Sequence, residues 1–411
     1  MIITAQEAMA EAPKSRSGPV THSRCEKALV LMYSGIPEPP TLNAILMLRQ
    51  YFRDVTFFRN NLYFPAESYL DTPMLLEIGR VIDVRSAMNR ATVWKLSRFA
   101  HYCTALGWHL RHSVYPIVII HDYLALLAFS LVRGIVGYRG LTWFNSYDCI
   151  DQAAAQIRPW SLMHWVVQRH ERLFSELDYF SAPAGERMRY YPVNRVRRQS
   201  FVIPNYPAIA FYRNFFRPRR LRDEKSMRLI YQGALGRGHG FEDIIKILGR
   251  TVAGKPLELV LTGWIDEDYK RELLGLAAKH GVEQRLSFAG FRFYRSLPEL
   301  ASRCTVGVAI YTSQDIMNTT LGTASNKIYE YAALGLPVIL YDTPHLRHHL
   351  GARRWSFFTT LSETSLLQTL EAVAECYDAA AGAASEDFRR ELNFERVFMP
   401  ALSTVLQNLH A

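Results

Sequence analysis

Short apolar runs alternate with stretches whose apolar residues recur every third or fourth position, and the alternation continues along most of the chain. The first pattern predicts buried strands, the second helices with one apolar face. Residues 27–33 (KALVLMY) read as a strand feeding the turn-rich SGIPEPP, residues 42–52 as a helix, and residues 55–59 (VTFFR) as a second strand. Residues 60–90 carry no clear period. A helix follows over 93–110, then a strand at 116–120, where four Ile and Val residues follow Pro116. In the apolar stretch 115–136, His121 and Asp122 stand in the middle, where hydrocarbon would make them costly, so a strand, a turn and an apolar helix are expected there instead of a membrane span. A strand at 141–144, a long helix at 162–177 and strands at 179–181 and 201–203 complete this half.

The second half repeats the scheme. Strands are predicted at 227–231, 257–262, 285–288, 306–311 and 338–341, and helices at 241–248, 268–280, 296–304, 327–334 and 363–377. A closing helix over 388–409 is expected to be interrupted at Pro400. Such alternation predicts an α/β protein with parallel, doubly wound sheets, and 411 residues are too many for one core. The expected division is a disordered tail at 1–24, Rossmann-like domains at 25–205 and 206–395, and a closing helix at 396–411.

Composition adds bounds. Hydrophobic residues at 49% and charged residues at 21% are ordinary for a globular chain. Cys25, Cys103, Cys149, Cys304 and Cys376 form no CxxC and no metal-like spacing, which predicts a reducing, cytoplasmic setting. The first residues have neither a basic start nor an apolar core of the secretory kind. Much of the net charge of +10 is local: from Arg187 to Arg222 arginines recur, as RVRR at 195–198 and RPRRLR at 217–222, with no Asp or Glu. With Tyr190, Tyr191, Phe211, Tyr212, Phe215 and Phe216 among them, these arginines suit an anionic membrane face; a solvated loop at a domain junction is the alternative. No recognition motif accompanies them, so nucleic acid is not an expected partner.

The stretch with the most chemistry is SNKIYEYAALGLPVILYD, residues 325–342. Ile328, Tyr331 and Ala332 mark the buried face of a short helix, Ser325 and Asn326 are N-cap types, and Gly335 and Pro337 close the helix before a strand. Asn326 and Glu330 lie four apart on the other face. Free N–H groups at the helix start attract phosphate, and Glu330 is a carboxylate fit for ribose hydroxyls. A solvated Glu330 on an amphipathic helix is the plainer reading. Ligands of such sheets sit beyond the carboxyl ends of strands, which singles out the loops at 233–240, 263–264, 290–292 and 311–326. The first, GALGRGHG, admits close backbone approach at Gly233 and carries Arg237, but it is neither a P-loop nor GxGxxG.

Taken together, YQGALGRGHGFEDIIKIL, LELVLTG, RLSFAGF, RSLPELASRC, TVGVAIY and SNKIYEYAALGLPVI resemble, in order, the nucleotide-sugar half of a GT-B glycosyltransferase, in particular family 4 of the glycosyltransferases. The first half matches weakly through IVIIHD, LTWFNSYD, ELDYFSAP and SFVIPN. The resemblance implies two Rossmann-like domains facing a central cleft. It implies a nucleotide diphosphate sugar as donor, with a glycan or lipid-linked acceptor, and needs no metal or other cofactor. By position it puts Glu330 on the donor ribose, Arg237 and the start of the Ser325, Asn326 and Lys327 helix on the diphosphate, and Gly290 and Phe291 beside the base, with Gly233 and Gly263 in the same loops. The family often has a second glutamate eight positions before Glu330; here Gly322 stands there.

His121 and Asp148 each end a predicted strand of the first half. His121 resembles a family histidine that approaches the donor sugar, and a hydrogen-bonded structural role is the alternative. Asp148 is a candidate general base for an inverting reaction or, alternatively, a turn cap. A retaining reaction, the family's commoner outcome, needs no enzymic base because the leaving phosphate takes the proton. Asp266-Glu267-Asp268 resembles a DxD metal motif, but at a helix start the dipole accounts for it and no metal site is expected. Three functions remain in view: glycosyl transfer, a nucleotide-sugar epimerase or hydrolase of the same shape, and a non-catalytic binding subunit, which the missing acid at Gly322 would favour.

Overall fold

Runs of buried branched and aromatic residues build two sheets in the computed structural model, which describes residues 2–3, 25–34, 38–63, 79–87, 92–150, 161–313 and 315–409. The chain divides into two units, one of Met1–Pro204 with Val397–Ala411, the other of Asn205–Arg396.

The first unit holds strands β1 (Ile2–Ile3), β2 (Cys25–Met32), β3 (Phe52–Tyr63), β4 (Arg80–Ala87), β5 (Ile117–Ile120), β6 (Leu141–Asn145), β7 (Tyr179–Ala182) and β8 (Gln199–Val202). They pair in the order β1-β8-β7-β6-β5-β2-β3-β4, every pair parallel. The fully buried Ile117–Ile120 run is the centre of this sheet, as a strand covered on both faces should be. The order reverses between β2 and β5, so the crevice beyond their carboxyl ends is where a ligand of a doubly wound sheet binds.

Several expectations change here. β3 runs to Tyr63 and β4 lies within 60–90, where no period showed: a parallel pair can be built from RVIDVRSA and FRDVTFFRNNLY without regular apolar alternation. Ile2–Ile3 pair with Ser200 and Phe201, inside the stretch read as a disordered tail; the rest of that tail lies outside the described residues. The helix expected at 162–177 is two, Leu162–Gln168 and His170–Ser175, because Arg169 at φ −111°, ψ 9° leaves helical geometry. The last helix, Phe394–Leu409, runs through Pro400 without a break. Phe398, Ala401, Leu402 and Val405 are buried around the proline, and this packing outweighs its lost hydrogen bond. Phe398 stacks on Trp143 of β6 at 5.3 Å.

The second unit holds β9 (Met227–Gln232), β10 (Thr251–Val252), β11 (Lys255–Thr262), β12 (Leu286–Gly290), β13 (Val306–Ala309), β14 (Val338–Tyr341) and β15 (Ser356–Thr359). The order is β10-β11-β9-β13-β14-β15 with β12 also on β11. All pairs are parallel except the β10–β11 hairpin. Leu229, Ile244, Leu259, Val306, Val308 and Ile339 are among its core residues. The reversal falls between β9 and β13, where the second crevice opens. Helix Tyr377–Arg390 carries few large apolar residues and was not legible in the sequence. It packs close where Gly335, at φ +68°, faces it: a Cβ there would stand 2.7 Å from the Ser385 hydroxyl.

Candidate functional site

The second crevice is lined from β9 and β13 and by the helix Asn326–Ala333. That helix was expected to bury one face, but Ile328 through Ala333 are all buried, Glu330 included at 4% exposure. The solvated reading of Glu330 is thereby removed. A carboxylate this deep needs a donor, and the Gln232 side-chain amide, at the last position of β9, donates to it. The Gln232 backbone N–H donates to the Tyr331 hydroxyl at 3.0 Å. With its NH2 turned to the carboxylate, the buried Gln232 Oε1 has no donor among the described residues.

Lys327 stands one turn before Glu330. Its ammonium lies 3.8 Å from the centre of the Tyr231 ring and 4.9 Å from that of Tyr311, a position that favours a cation. Burial works the other way and pulls Lys327 down to about 7, with Glu330 opposing the fall. Ser325 caps the helix, its hydroxyl accepting from the Ile328 N–H at 3.4 Å. The N–H groups of Asn326 and Lys327 are among those that a helix start leaves without intrahelical partners.

Three glycines bring the neighbouring loops close. A Cβ at Gly233 (φ +126°) would stand 3.3 Å from Lys327 Nζ, and one at Gly263 (φ +138°) only 1.7 Å from the Gly233 carbonyl oxygen. The Gly263 N–H donates to the Gly290 carbonyl at 3.0 Å, and Thr262 Oγ1 donates to the same oxygen at 2.8 Å. Beyond Gly290, Phe291 packs on Trp264 with ring centres 4.9 Å apart. Gly233, Gly263, Gly290, Phe291, Ser325, Asn326, Lys327 and Glu330 thus form one continuous region.

Arg237 is on the same loop as Gly233, with its side chain engaged by Glu272. The guanidinium is exposed, forms a bidentate ion pair with Glu272 and lies 4.9 Å from the centre of the Tyr269 ring. In the acidic triplet, Asp266 caps the helix Glu267–Lys279 by accepting from the N–H groups of Asp268 and Tyr269, as the dipole account requires.

At Gly322, where a glutamate was missed, a side chain would have to displace the rings of His345 and His349. At φ +22° its Cβ would stand 2.9 Å from His349 Cδ2 and 3.1 Å from His345 Nε2, and its N–H donates to His345 Nε2 at 2.9 Å.

In the first unit, His121 follows β5 at the switch point. It is 1% exposed, neither ring nitrogen has a hydrogen-bond partner among the described residues, and its ring stacks on Tyr147 at 5.8 Å. Burial pulls it down to about 3, so it is neutral at ordinary pH. A hydrogen-bonded structural role is not what the geometry shows. Asp148, beyond β6, is exposed, and its carbonyl accepts from Ser146 and Tyr191 hydroxyls at 3.0 and 3.1 Å.

The arginines between Arg187 and Arg222 have mixed fates. Arg187 is buried and donates to the Tyr147 carbonyl; Arg219 is buried and donates to the carbonyls of Leu334, Cys304 and Ser302. Arg195 pairs with Glu171 and Arg217 with Glu224. The stretch is therefore not a uniform basic surface.

Sequence reasoning missed Gln232, Tyr231, Tyr311 and His239. His239 Nδ1–H donates to the Ile310 carbonyl at 2.9 Å, and its ring lies 4.8 Å from that of Tyr231. Burial lowers it to about 4. Position at the end of β9 or after β13 was the available signal, but the strand order that makes those ends a crevice is not written in any local pattern.

Residues 213–377 match the family model for glycosyl transferases group 1. No curated protein matches the sequence. Among solved structures, the chain is similar to Anabaena HepE in complex with UDP and glucose, at TM-score 0.65 and 15% identity over 92% of this chain and 99% of that one. It is similar to sucrose-phosphate synthase from Thermosynechococcus elongatus at TM-score 0.62 and 14% identity, over 93% and 99%. A third is the apo form of the lipopolysaccharide outer core galactosyltransferase WaaB, at TM-score 0.58 and 15% identity over 92% and 99%.

Proposed function

We propose that this chain, a glycosyltransferase of GT-B fold with a glycosyl transferases group 1 domain at residues 213–377, moves a sugar from a nucleotide diphosphate sugar to a glycan or lipid-linked acceptor. The observation that carries the reading is the buried Gln232–Glu330 pair beside Lys327 at the switch point of the second sheet. Glu330 accepts the ribose hydroxyls, and a ribose hydroxyl can supply the donor that Gln232 Oε1 lacks. Lys327 and the helix start take the diphosphate, whose developing charge they stabilise as the sugar leaves. Trp264, Phe291 and the Gly290 backbone receive the base. No metal ion enters this account.

His121 serves on the sugar side as a neutral imidazole, one nitrogen donating and the other accepting. The reaction retains configuration: the leaving phosphate takes the acceptor proton, and Asp148 is the base only if it inverts. Surface glycoconjugate synthesis is the setting this reading favours, by analogy with the lipopolysaccharide outer core galactosyltransferase. The test is incubation with UDP-, GDP- and ADP-sugars, alone and with glycan or lipid-linked acceptors, following nucleotide release. Acceptor-dependent release from one donor is expected; no release from any donor on folded protein would defeat the reading.

A further inference from the structure

Helices Thr92–His112 and Tyr123–Val136 lie side by side on the first unit, where a Cβ at Gly107 would stand 3.8 Å from Val132. Phe99, Tyr102, Leu106, Leu126 and Phe129 are buried beneath them. Among the outward positions, large apolar residues stand beside the polar ones. Trp94 is 53% exposed, Trp108 66%, Leu131 44% and Ile135 83%. Trp94, His101 and Trp108 recur every seven residues, which at 100° per residue keeps them within about 40° of one line along the helix. Leu131 and Ile135, four apart, form the matching line on the neighbour. Single exposed apolar residues are ordinary, but two tryptophans and two aliphatics on adjoining helices are a surface.

Its charge is mainly basic. Residues 92–140 contain Lys95, Arg98, Arg111, Arg133 and Arg139 against one acid, Asp122, and Glu176 is the acid that packs on the second helix, accepting from the Ser130 hydroxyl at 2.8 Å while its carbonyl accepts from Arg133. The Asp122 carboxylate is spent on backbone, accepting from the N–H groups of Ala125 at 2.8 Å, Ser34 at 3.1 Å and Tyr33. We propose that this outward face docks the protein on an anionic lipid bilayer. A second copy would bring like charges together, whereas acidic headgroups meet lysine and arginine while indole rings settle at the interface between headgroup and hydrocarbon. The fourteen steps from Trp94 to Trp108 span about 21 Å, so the helix lies along the surface. Among the described residues no helix is long and apolar enough to cross a membrane. The proposal does not rest on glycosyl transfer, since binding to lipid needs no donor or acceptor.

The test is cosedimentation of the full chain with vesicles of phosphatidylcholine and phosphatidylglycerol, and with phosphatidylcholine alone. Binding is expected only to the acidic vesicles and weakens as salt rises. Lys95→Glu with Arg111→Glu and Arg139→Glu weakens it by about a hundredfold or more, each basic residue contributing about fivefold. Trp108→Ser with Ile135→Ser also weakens it, while Arg217→Glu with Arg220→Glu does not. All these sites are exposed, and unchanged thermal melts show that the variants fold. Absence of binding to acidic vesicles, binding that survives both helix-face variants, or a dimer broken by Trp108→Ser would each overturn the proposal.

Discussion

The side-chain amide of Gln232 donates to the carboxylate of Glu330 across 98 residues of sequence, joining the end of one strand to the middle of a helix in a buried crevice. The pair fixes both partners: the amide cannot turn its oxygen toward the carboxylate, and the carboxylate keeps one oxygen engaged by the amide. Gln232→Leu is expected to lower stability by about 1–3 kcal/mol, the cost of leaving a buried acceptor unsatisfied, and to weaken nucleotide binding. Denaturant unfolding and calorimetry on the same variant check both.

Lys327 gives the proposed donor site a pH signature. Free, it titrates near 7 because burial lowers it; a bound diphosphate favours the charged form and raises it. Affinity for a sugar nucleotide, whose diphosphate does not ionise in this range, is therefore full below pH 7. It then falls by up to about tenfold per unit above, until the bound-state value is passed. Lys327→Met removes the slope. The lysine's folded value also lies below its ordinary one, so the unfolded chain holds the extra proton and stability rises with pH from about 7 upward.

Gly263 is the tightest backbone position of the site. Gly263→Ala would set a Cβ 1.7 Å from the Gly233 carbonyl oxygen at φ +138°. A loss of about 3 kcal/mol or more is expected. Gly236→Ala, three residues along the first loop from Gly233 and with open space around its Cβ, is the control and should be near neutral. Urea unfolding of the two variants separates a local steric demand from a general need for loop flexibility.

Among the described residues, His121 forms no hydrogen bond of the kind a structural role would require. His121→Leu should leave the melting temperature unchanged or raised while lowering kcat by tenfold or more. Since burial holds the imidazole near 3, the wild-type rate should show no His121 titration between pH 5 and 8. A melting temperature that falls in step with activity would make the residue structural.

How much of this was legible follows from the physics of each element. The Ile117–Ile120 strand and the Asn326–Ala333 helix with its Ser325 cap show in the sequence because runs, periods and caps are local. β4 does not show because it carries no clear apolar alternation, and the helix Tyr377–Arg390 does not because its buried stripe runs through Ala380, Ala381 and Ala384, too small to stand out between Tyr377 and Phe388. Glu330 was found through its helix, but its burial was not: that depends on packing against residues far away in the chain. Gln232 was invisible for the same reason. Arg237 illustrates the opposite case, a residue whose type and loop suit a diphosphate while its side chain is held by Glu272.

The central claim is that the crevice at Glu330 binds a nucleotide diphosphate. Calorimetric titration of UDP and GDP into the wild type and Glu330→Ala tests it most directly. The account predicts that one nucleotide binds the wild type and that the variant, folded by its circular dichroism, loses that binding. Equal binding by both proteins, or none by the wild type, would contradict it.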